Sequence, residues 1–390
     1  MSQETIIGST NKADCRITIT PSNTLQIEVA TKNRELLEAG IRAVATKVCS
    51  ALGIEKGAIA VEDQGALDYV IAARVEQALR IFSPKKTAPV RPSVDRTRSA
   101  RDRLRRSRLY APGNNPRLLV GIDLHDADCV LLDLEDSVPP AEKAAARILV
   151  KHLLATVQFS EEAWVRINPL GTYGRDDLAE VLLGRPHGIC LPKAESGKDI
   201  IDAAEAMTHI EQELGIPLGT TWLMPIIETA KGVLHCEEIS AGHERVAVVA
   251  FGAEDFTRDV GAVRTQESLQ FARSMIVAGA KAARVQASDT VYSNLEDEQG
   301  LIAETQLARN LGFDGKGAIN PRQIAPIHAV FSPGKQEVEE AKRIVAAAEQ
   351  AEAQGLGAIA IGGKMIDRPV LDRARKTLEL TARIEKEGRR

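Results

Sequence analysis

The chain has 390 residues, of which 44% are hydrophobic and 27% are charged, and its formal net charge at pH 7 is −4. This composition allows one large and one smaller globular domain, and the charge gives no reason to expect a nucleic-acid or membrane partner. We expect no secretory signal and no membrane span, because the chain begins without a basic and apolar leader and no apolar run is long enough. Five scattered cysteines without a Cys-x-x-Cys motif predict reduced, mostly buried thiols in a cytoplasmic protein.

The first 83 residues have the pattern of a small α+β domain. Alternating apolar residues predict strands, and apolar residues at helical spacing predict helices, in the order β-β-α-β-α. The strands are predicted at residues 15–20, 25–29 and 58–61, and the helices at residues 36–52 and 66–82.

Three stretches of this domain form a set: Ile6-Ile7-Gly8-Ser9 leading to Asp14, Ile17-Thr18-Ile19, and Asp63-Gln64-Gly65-Ala66-Leu67-Asp68. The set resembles the acyl-carrier (gamma) subunit of citrate lyase. That family attaches its phosphoribosyl-dephospho-CoA arm to a serine two residues before the aspartate, where this chain has Lys12. The resemblance implies a carrier-like domain at residues 1–83 without a covalent phosphopantetheine-type arm, with Ser9 or Thr10 as the alternative attachment points.

Residues 84–107 are predicted to be a basic linker. Prolines interrupt regular structure, and ten Lys or Arg residues lie between positions 85 and 108 against two Asp. A nucleic-acid-binding tail is one interpretation, but the segment has no aromatic residue for base stacking. A solvated tether between two domains is therefore favoured.

Strand and helix patterns alternate from residue 108 to residue 335. Eight such strands favour an α/β fold of the (β/α)8 type, a TIM barrel. An open doubly wound sheet is disfavoured, because polar residues follow most strands and are not confined to one switch point. The strands are predicted at residues 109–111, 129–134, 163–167, 188–191, 223–227, 246–251, 287–292 and 317–319.

Two of these strands end in carboxylates. Glu228 follows the run 222–227, and Asp255 lies just beyond the run 246–251 and its Gly252 turn. In an α/β barrel the chemistry lies where the strands end, and oxygen ligands suit a hard cation such as Mg²⁺. Acids that cap helices are the simpler alternative for either residue, but two neighbouring strands that end in this way predict a divalent-metal site.

The first strand of the barrel leads to a predicted helix start at Asn115 and Pro116. Free N–H groups there would bind an anion, with Tyr110 and Arg117 close by. An ordinary capped helix fits the same residues equally well.

Charged residues follow the next three strands. Asp133, Glu135 and Asp136 end the second strand, and we expect them to reach a metal only through water or hydrogen bonds. Arg166 lies within the third strand, where it would meet either a substrate carboxylate or one of the barrel's own acids. Lys193 follows the fourth strand and adds a second cation to the rim.

Eight motifs occur in register along this part of the chain: Arg108-Leu109-Tyr110-Ala111-Pro112-Gly113-Asn114, Asp133-Leu134-Glu135-Asp136, Arg166-Ile167-Asn168-Pro169, Leu191-Pro192-Lys193, Ile227-Glu228-Thr229, Gly252-Ala253-Glu254-Asp255, Asp289-Thr290-Val291-Tyr292 and Ile319-Asn320-Pro321-Arg322. Together they resemble the citrate lyase beta subunit family, within the wider HpcH/HpaI aldolase superfamily. The resemblance implies a Mg²⁺-dependent barrel that cleaves or forms a carbon–carbon bond beside an acyl thioester. Glu228 and Asp255 would be the metal ligands and Arg166 the anchor of a substrate carboxylate. The loop 110–117 would contact CoA. The positive charge of the arginines in segment 105–108 predicts, independently of the resemblance, that they help to attract the phosphates of such a substrate.

Residues 336–390 predict a helical extension with a hairpin at residues 358–367 before its last helix. Gly355-x-Gly357 does not predict a nucleotide-binding loop, because no strand precedes it. In the resembled family the Gly-Lys-Met-Ile-Asp segment reaches a neighbouring subunit's site, where its aspartate serves in proton transfer. Asp367 stands at that place, which implies a homotrimer or a homohexamer.

The function implied by this resemblance is cleavage of a 3-hydroxy-3-carboxyacyl-CoA thioester of the citryl-, malyl- or citramalyl-CoA type. The products are an acyl-CoA and a 2-oxo acid. Two alternatives stay open: a citrate lyase component that acts on a carrier-bound citryl thioester, and an inactive fused scaffold. The motifs leave the thioester and the direction of the reaction undecided.

Overall fold

The protein is described from a computed structural model, which covers residues 4–84, 90–91, 94, 96–353, 359–361 and 364–387. Its N-terminal domain is a four-stranded sheet packed against two helices. The elements are β1 (Thr5–Gly8), β2 (Cys15–Thr20), β3 (Leu25–Ala30), α1 (Arg34–Ala51), β4 (Gly57–Asp63) and α2 (Asp68–Phe82).

The strand order of this sheet is β1-β2-β4-β3. Strand β1 was not predicted, because it is a short edge strand whose residues are mostly exposed or half-buried and do not alternate in the pattern of a core strand. Strands β2 and β3 follow one another in the chain but are not paired. Strand β4 lies between them, parallel to β3, because the helix α1 supplies the crossover that a parallel pair requires.

The second domain is a closed barrel of eight parallel strands, in which β12 pairs with β5. Each of the eight predicted strands is present, so the predicted (β/α)8 fold is confirmed. Among the described helices, none combines the length and the apolar character needed to cross a membrane. The elements are β5 (Ser107–Pro112), α3 (Pro116–Leu119), β6 (Cys129–Asp133), α4 (Lys143–Thr156), β7 (Glu162–Arg166), α5 (Arg175–Val181), β8 (Gly188–Leu191), α6 (Gly197–Leu214), β9 (Trp222–Ile227), α7 (Ala230–Leu234), α8 (Cys236–Ala241), β10 (Val248–Phe251), α9 (Ala253–Val260), α10 (Gln266–Ala282), β11 (Gln286–Asp289), α11 (Glu298–Leu311), β12 (Gly315–Ala318) and α12 (Ile324–Phe331).

The inside of the barrel is filled by side chains that alternate with those facing the helices. Trp164 of β7 is fully buried there, and its ring lies against Gly188 of β8. A Cβ atom added to Gly188 would lie 2.2 Å from the indole, so only glycine fits beside this tryptophan. Apolar packing closes this part of the barrel and leaves the ends of the strands free for polar chemistry.

The predicted solvated tether is wrong for the described part of the linker. Arg96 donates hydrogen bonds to carbonyl oxygens of Leu154 and Arg185, and Arg101 donates one to the carbonyl of Val246. Arg105 is buried in an ion pair with Glu162. These contacts lie at the end of the barrel where the strands begin. The basic segment therefore covers the amino-terminal end of the barrel, opposite to the end where the strands terminate.

The two domains are joined by buried charges between α2 and α4. Glu76 of α2 accepts hydrogen bonds from Nζ of Lys151, at 2.7 and 2.8 Å, and from the ring of His152. Lys151 Nζ also lies 2.6 Å from Glu180 Oε1, and Arg80 bonds to both glutamates. Because the side chains of Glu76 and Lys151 are fully buried, this network fixes the small domain against the barrel.

Glu76→Gln is expected to destabilise the protein by about 3–5 kcal/mol, because it leaves the buried Lys151 with one carboxylate fewer. Burial alone raises the pKa of Glu76, but the His152 hydrogen bond and the charges of Lys151 and Arg80 lower it to about 2. The ionised form therefore stabilises the fold above the ordinary carboxyl pKa, and this contribution is lost as the pH falls toward 2. Calorimetric melting of both proteins should show a difference that is largest near pH 7 and narrows in acid.

The matched control for this prediction is Asp202→Asn, which removes an exposed ion pair with Lys198 on α6. It should melt like the wild-type chain. A Glu76→Gln variant that also melts like the wild type at pH 7 would contradict the role of the network.

The C-terminal extension consists of two helices and a two-stranded hairpin, as predicted. Its elements are α13 (Lys335–Ala353), β13 (Ile359–Ile361), β14 (Lys364–Ile366) and α14 (Arg368–Glu387). The hairpin is antiparallel. The predicted end of the first helix near Gly355 and the Gly355-x-Gly357 stretch lie outside the described residues.

Candidate active site

A cavity of about 440 Å³ opens where the barrel strands end. Residues from these strand ends line it, because all eight strands are parallel and their carboxyl ends meet at one mouth. Of the residues predicted from the sequence, the lining includes Tyr110, Asp136, Arg166, Glu228 and Asp255. We call this space the mouth cavity.

Glu228 and Asp255 both line the mouth cavity, from neighbouring strands β9 and β10. Glu228 is 2% exposed, and its Oε1 accepts a hydrogen bond of 2.7 Å from the backbone N–H of Lys193. Gly252 leaves room for this carboxylate, since a Cβ atom there would lie 2.6 Å from Glu228 Oε2. Asp255 lies in the first turn of α9 and forms an ion pair with Arg258, which is itself exposed.

The electrostatics of this pair favour a bound cation. Burial, followed by the negative charges of Glu135 and Asp255, raises the pKa of Glu228 to about 8. Among the described residues, no group of three His, Cys, Asp or Glu side chains forms a complete metal cage. Mg²⁺ does not need one, because it commonly binds one or two carboxylates and completes its shell with water or substrate oxygens. The carboxylate donors therefore fit Mg²⁺.

Arg166 is held at the edge of the mouth cavity by an acid of the neighbouring strand β6. Its Nε and Nη2 donate to the two carboxylate oxygens of Asp133, at 2.6 and 2.8 Å. Its Nη1 lies 3.1 Å from Glu135 Oε2. Burial raises the pKa of Asp133, but the hydrogen bond and the charge of Arg166 outweigh it and lower that pKa. Of the two interpretations of Arg166, the ion pair with one of the barrel's own acids is therefore present. The remaining nitrogen of the guanidinium, Nη1, faces Glu135 and Asp136.

Glu135 and Lys193 form a second ion pair behind the mouth cavity, with 2.8 Å between Nζ and Oε1. Burial, its largest influence, raises the pKa of Glu135. Glu135 Oε2 takes part in the ion pair with Arg166 but accepts no hydrogen bond from the described residues. Lys193 has a positive φ of 53°, a strained conformation that turns its N–H toward Glu228. Asp136 is largely exposed beside these groups.

Four predicted site residues do not line the mouth cavity of their own chain: Glu135 and Lys193, which lie behind it, and Arg117 and Asp367. Arg117 borders a different space, between the barrel and the N-terminal domain. Asp367 is exposed just before α14, where its side chain accepts a hydrogen bond from the N–H of Val370. The arginines predicted to attract CoA phosphates are also elsewhere, since Arg105 and Arg106 form ion pairs where the strands begin and Arg108 is buried near the start of β5. That prediction is wrong.

Sequence reasoning missed two residues of the mouth. The hydroxyl of Ser137 donates to Asp133 Oδ2, and the hydroxyl of Thr290 accepts a hydrogen bond from the N–H of Ala253 at the start of α9. Both line the mouth cavity. Thr290 directly follows β11, and Ser137 lies in the loop after β6. These positions were the available signal, because the loops that follow barrel strands form the mouth.

Two family models match the chain. Residues 106–321 match HpcH/HpaI aldolase/citrate lyase, which covers more than half of the chain and most of the barrel. Residues 2–82 match an ACP model, described as malonate decarboxylase delta subunit (MdcD). The predicted carrier-like N-terminal domain is confirmed, although the matched model is that of a different carrier subunit.

Named relatives match about 70% of the chain. Citrate lyase subunit beta of Haemophilus influenzae is 42% identical over 71% of this chain and 97% of its own length. The mitochondrial citramalyl-CoA lyase of Homo sapiens is 34% identical over 72% of this chain and 86% of its own. A solved structure of CitE from Mycobacterium tuberculosis, in complex with magnesium, acetoacetate and coenzyme A, is 30% identical with a TM-score of 0.60. It covers 73% of this chain and 100% of that one.

Proposed function

The chain belongs to the HpcH/HpaI aldolase/citrate lyase family, and we propose that its barrel is a Mg²⁺-dependent carbon–carbon lyase for a 3-hydroxy-3-carboxyacyl-CoA thioester. The products are an acyl-CoA and a 2-oxo acid. The observation that carries the proposal is a single cavity in which two neighbouring carboxylates, Glu228 and Asp255, lie beside Arg166. The choice of cation and thioester is supported by the relative crystallised with magnesium and coenzyme A.

Glu228 and Asp255 are the proposed ligands of the metal. When bound there, Mg²⁺ would supply Lewis acidity toward a hydroxyl and a carboxylate oxygen of the substrate. The N–H of Lys193 holds Glu228 Oε1, and the missing side chain of Gly252 leaves space for Oε2. These contacts position one ligand rigidly, which is what a site that must align a reacting bond requires.

Arg166 is the proposed anchor of the substrate carboxylate. Asp133 occupies its Nε and Nη2 and fixes the plane of the guanidinium. Nη1 is then the donor left for the substrate, in a charge-assisted hydrogen bond that replaces its ion pair with Glu135 when the substrate enters. Tyr110 supports this position, since the Arg166 guanidinium lies 5.5 Å from the centre of its ring.

Asp367 of a neighbouring subunit is the proposed group for proton transfer. Cleavage removes the proton from the substrate hydroxyl, and the carbon that carries this hydroxyl becomes the carbonyl carbon of the 2-oxo acid. The broken carbon–carbon bond leaves a thioester enolate, which gains a proton at carbon. Asp367 is exposed and lies outside the mouth cavity of its own chain, so it is available to another copy. The proposed assembly is a homotrimer or a pair of trimers.

The test is an assay of the purified full-length chain with citryl-, malyl- and citramalyl-CoA, in which the released 2-oxo acid is measured. We expect at least one thioester to be cleaved, EDTA to reduce the rate to background, and an excess of Mg²⁺ to restore it. Release of a 2-oxo acid that EDTA leaves unchanged would refute the metal dependence. Failure of all three thioesters would refute the proposed reaction.

The second candidate is a citrate lyase component that acts on a carrier-bound citryl group. The similarity to citrate lyase subunit beta favours it, but Lys12 replaces the serine that would hold the arm in this chain. Mass spectrometry of residues 8–15 distinguishes the two candidates, because only a working carrier shows a phosphopantetheine-type adduct. An inactive scaffold would release no 2-oxo acid from either kind of thioester.

A further inference from the structure

A second cavity, of about 670 Å³, lies between the N-terminal domain and the barrel. We call it the interdomain cleft. Its wall on one side comes from the turn after β1, including Ser9 and Lys12, and on the other side from the loop before α4 and from Asn114 to Arg117. Because buried charges join α2 to α4, these two walls keep a fixed distance from each other.

The cleft adjoins the mouth cavity through one short helix, α3. Its Leu118 lines the mouth cavity, and the preceding residue Arg117 lines the interdomain cleft. A ligand that reacts in the mouth cavity and extends over α3 would therefore place its far end in the cleft. An acyl-CoA is such a ligand, because a long pantetheine arm separates its thioester from its phosphates.

The turn that carries Lys12 is held in place by buried contacts. Arg74 donates from Nε and Nη2 to the two oxygens of Asp14, at 2.9 and 3.2 Å, and the Ser9 hydroxyl donates to the same carboxylate. The backbone N–H of Ala13 is bonded to the carbonyl of Gln64. Lys12 is exposed on this rigid turn. In the carrier family that the N-terminal domain resembles, the attachment serine stands at this position.

The charges that line the cleft leave an excess of positive charge. Arg74 and Asp14 neutralise each other, which leaves Lys12 and Arg117 against the single carboxylate of Glu142, and this carboxylate accepts a hydrogen bond from Asn114. Within the described residues, Lys12 and Arg117 form neither an ion pair nor a hydrogen bond with another side chain. Two unpaired cations on facing walls are suited to a phosphate-bearing ligand.

We propose that the carrier-like domain has become a fixed wall of the substrate site, and that the ammonium of Lys12 binds the phosphates of free coenzyme A in the interdomain cleft. Lys12, which stands where the resembled family has its attachment serine, would thereby hold a phosphopantetheine-type arm without a covalent bond. This inference rests on the proposed CoA thioester substrate and adds the N-terminal domain to its recognition.

The test is calorimetric titration of the full-length protein with coenzyme A and with pantetheine, which lacks the phosphates. Lys12→Glu should weaken the binding of coenzyme A about tenfold or more, because it removes a charge-assisted contact and adds a repulsive carboxylate. The affinity for pantetheine should stay the same. Lys12→Ala should show the same direction with a smaller loss.

The matched control is Lys56→Glu, which makes the same charge change just before β4, at the opposite end of the sheet from Lys12. It should bind coenzyme A like the wild type. Equal binding of coenzyme A by wild type and Lys12→Glu, or an equal loss for pantetheine, would overturn the proposal. Binding is measured without turnover, so a wild-type chain that binds coenzyme A but cleaves no thioester refutes the lyase function and still tests the role of Lys12.

Discussion

Asp255→Asn is expected to lower kcat/KM for thioester cleavage by about a thousandfold or more. The proposed metal has two protein carboxylates, and the loss of one removes several kcal/mol of transition-state stabilisation, at 1.36 kcal/mol for each factor of ten. The fold should tolerate the change, because Asp255 lies at the partly exposed start of α9 and its ion pair is with the exposed Arg258. Activity and Mg²⁺ affinity should therefore fall together, while circular dichroism stays that of the wild type.

The matched control for this variant is Asp259→Asn, which makes the same chemical change one turn later on α9. Asp259 is exposed and accepts a hydrogen bond from the N–H of Ala230, away from the mouth cavity. It should leave the Mg²⁺ dependence of the reaction unchanged. An Asp255→Asn protein that turns over like the wild type would eliminate the metal assignment, whatever the family of the chain.

Asp367→Asn is expected to lower kcat by a factor of about 10² to 10⁴, the usual contribution of a positioned general acid or base. Because we propose that Asp367 acts in a neighbouring subunit, the defect should be complemented by a second inactive variant. Co-expression of Asp367→Asn with Asp255→Asn chains forms sites that combine an intact metal pair from one chain with an intact Asp367 from the next. With equal amounts, about a quarter of the sites should be complete in a symmetric ring.

Differently tagged chains allow the mixed oligomer to be purified and its turnover compared with that of each single variant. Each variant alone gives no complete site, so recovered activity requires contribution across a subunit interface. Mixed oligomers that are as inactive as the single variants would refute the shared site. An Asp367→Asn homo-oligomer with wild-type turnover would refute the role in proton transfer.

Much of the barrel could be predicted because its signals are local. Parallel strands buried on both faces leave continuous apolar runs in the sequence, and each of the eight runs became a strand. Glu228 and Asp255 were found by the same logic, since a polar residue at the end of such a run must face the mouth. The C-terminal hairpin could likewise be predicted from its short apolar stretch.

Features that depend on distant partners were predicted less well. The basic segment before the barrel has the composition of a tether, yet Arg105 finds a buried carboxylate in Glu162, more than fifty positions away. The edge strand β1 carries too few buried residues to be recognised without its neighbour β2. The composition of a segment indicates how it would interact with water, but it does not identify the residues that contact the segment in the folded chain.

The sequence by itself determined the barrel, the carrier-like domain, the family and the acids at the strand ends. These follow from the periodicity of the hydrophobic residues and from the order of short motifs along the chain. Only the tertiary structure decided which charges meet. It pairs Arg166 with Asp133, separates Arg117 from the mouth cavity, and brings Lys12 to the opposite wall of a cleft. The reason is that the energy of a charge depends on burial and on its neighbours in space, and in this chain those neighbours lie on other strands, other helices and another domain.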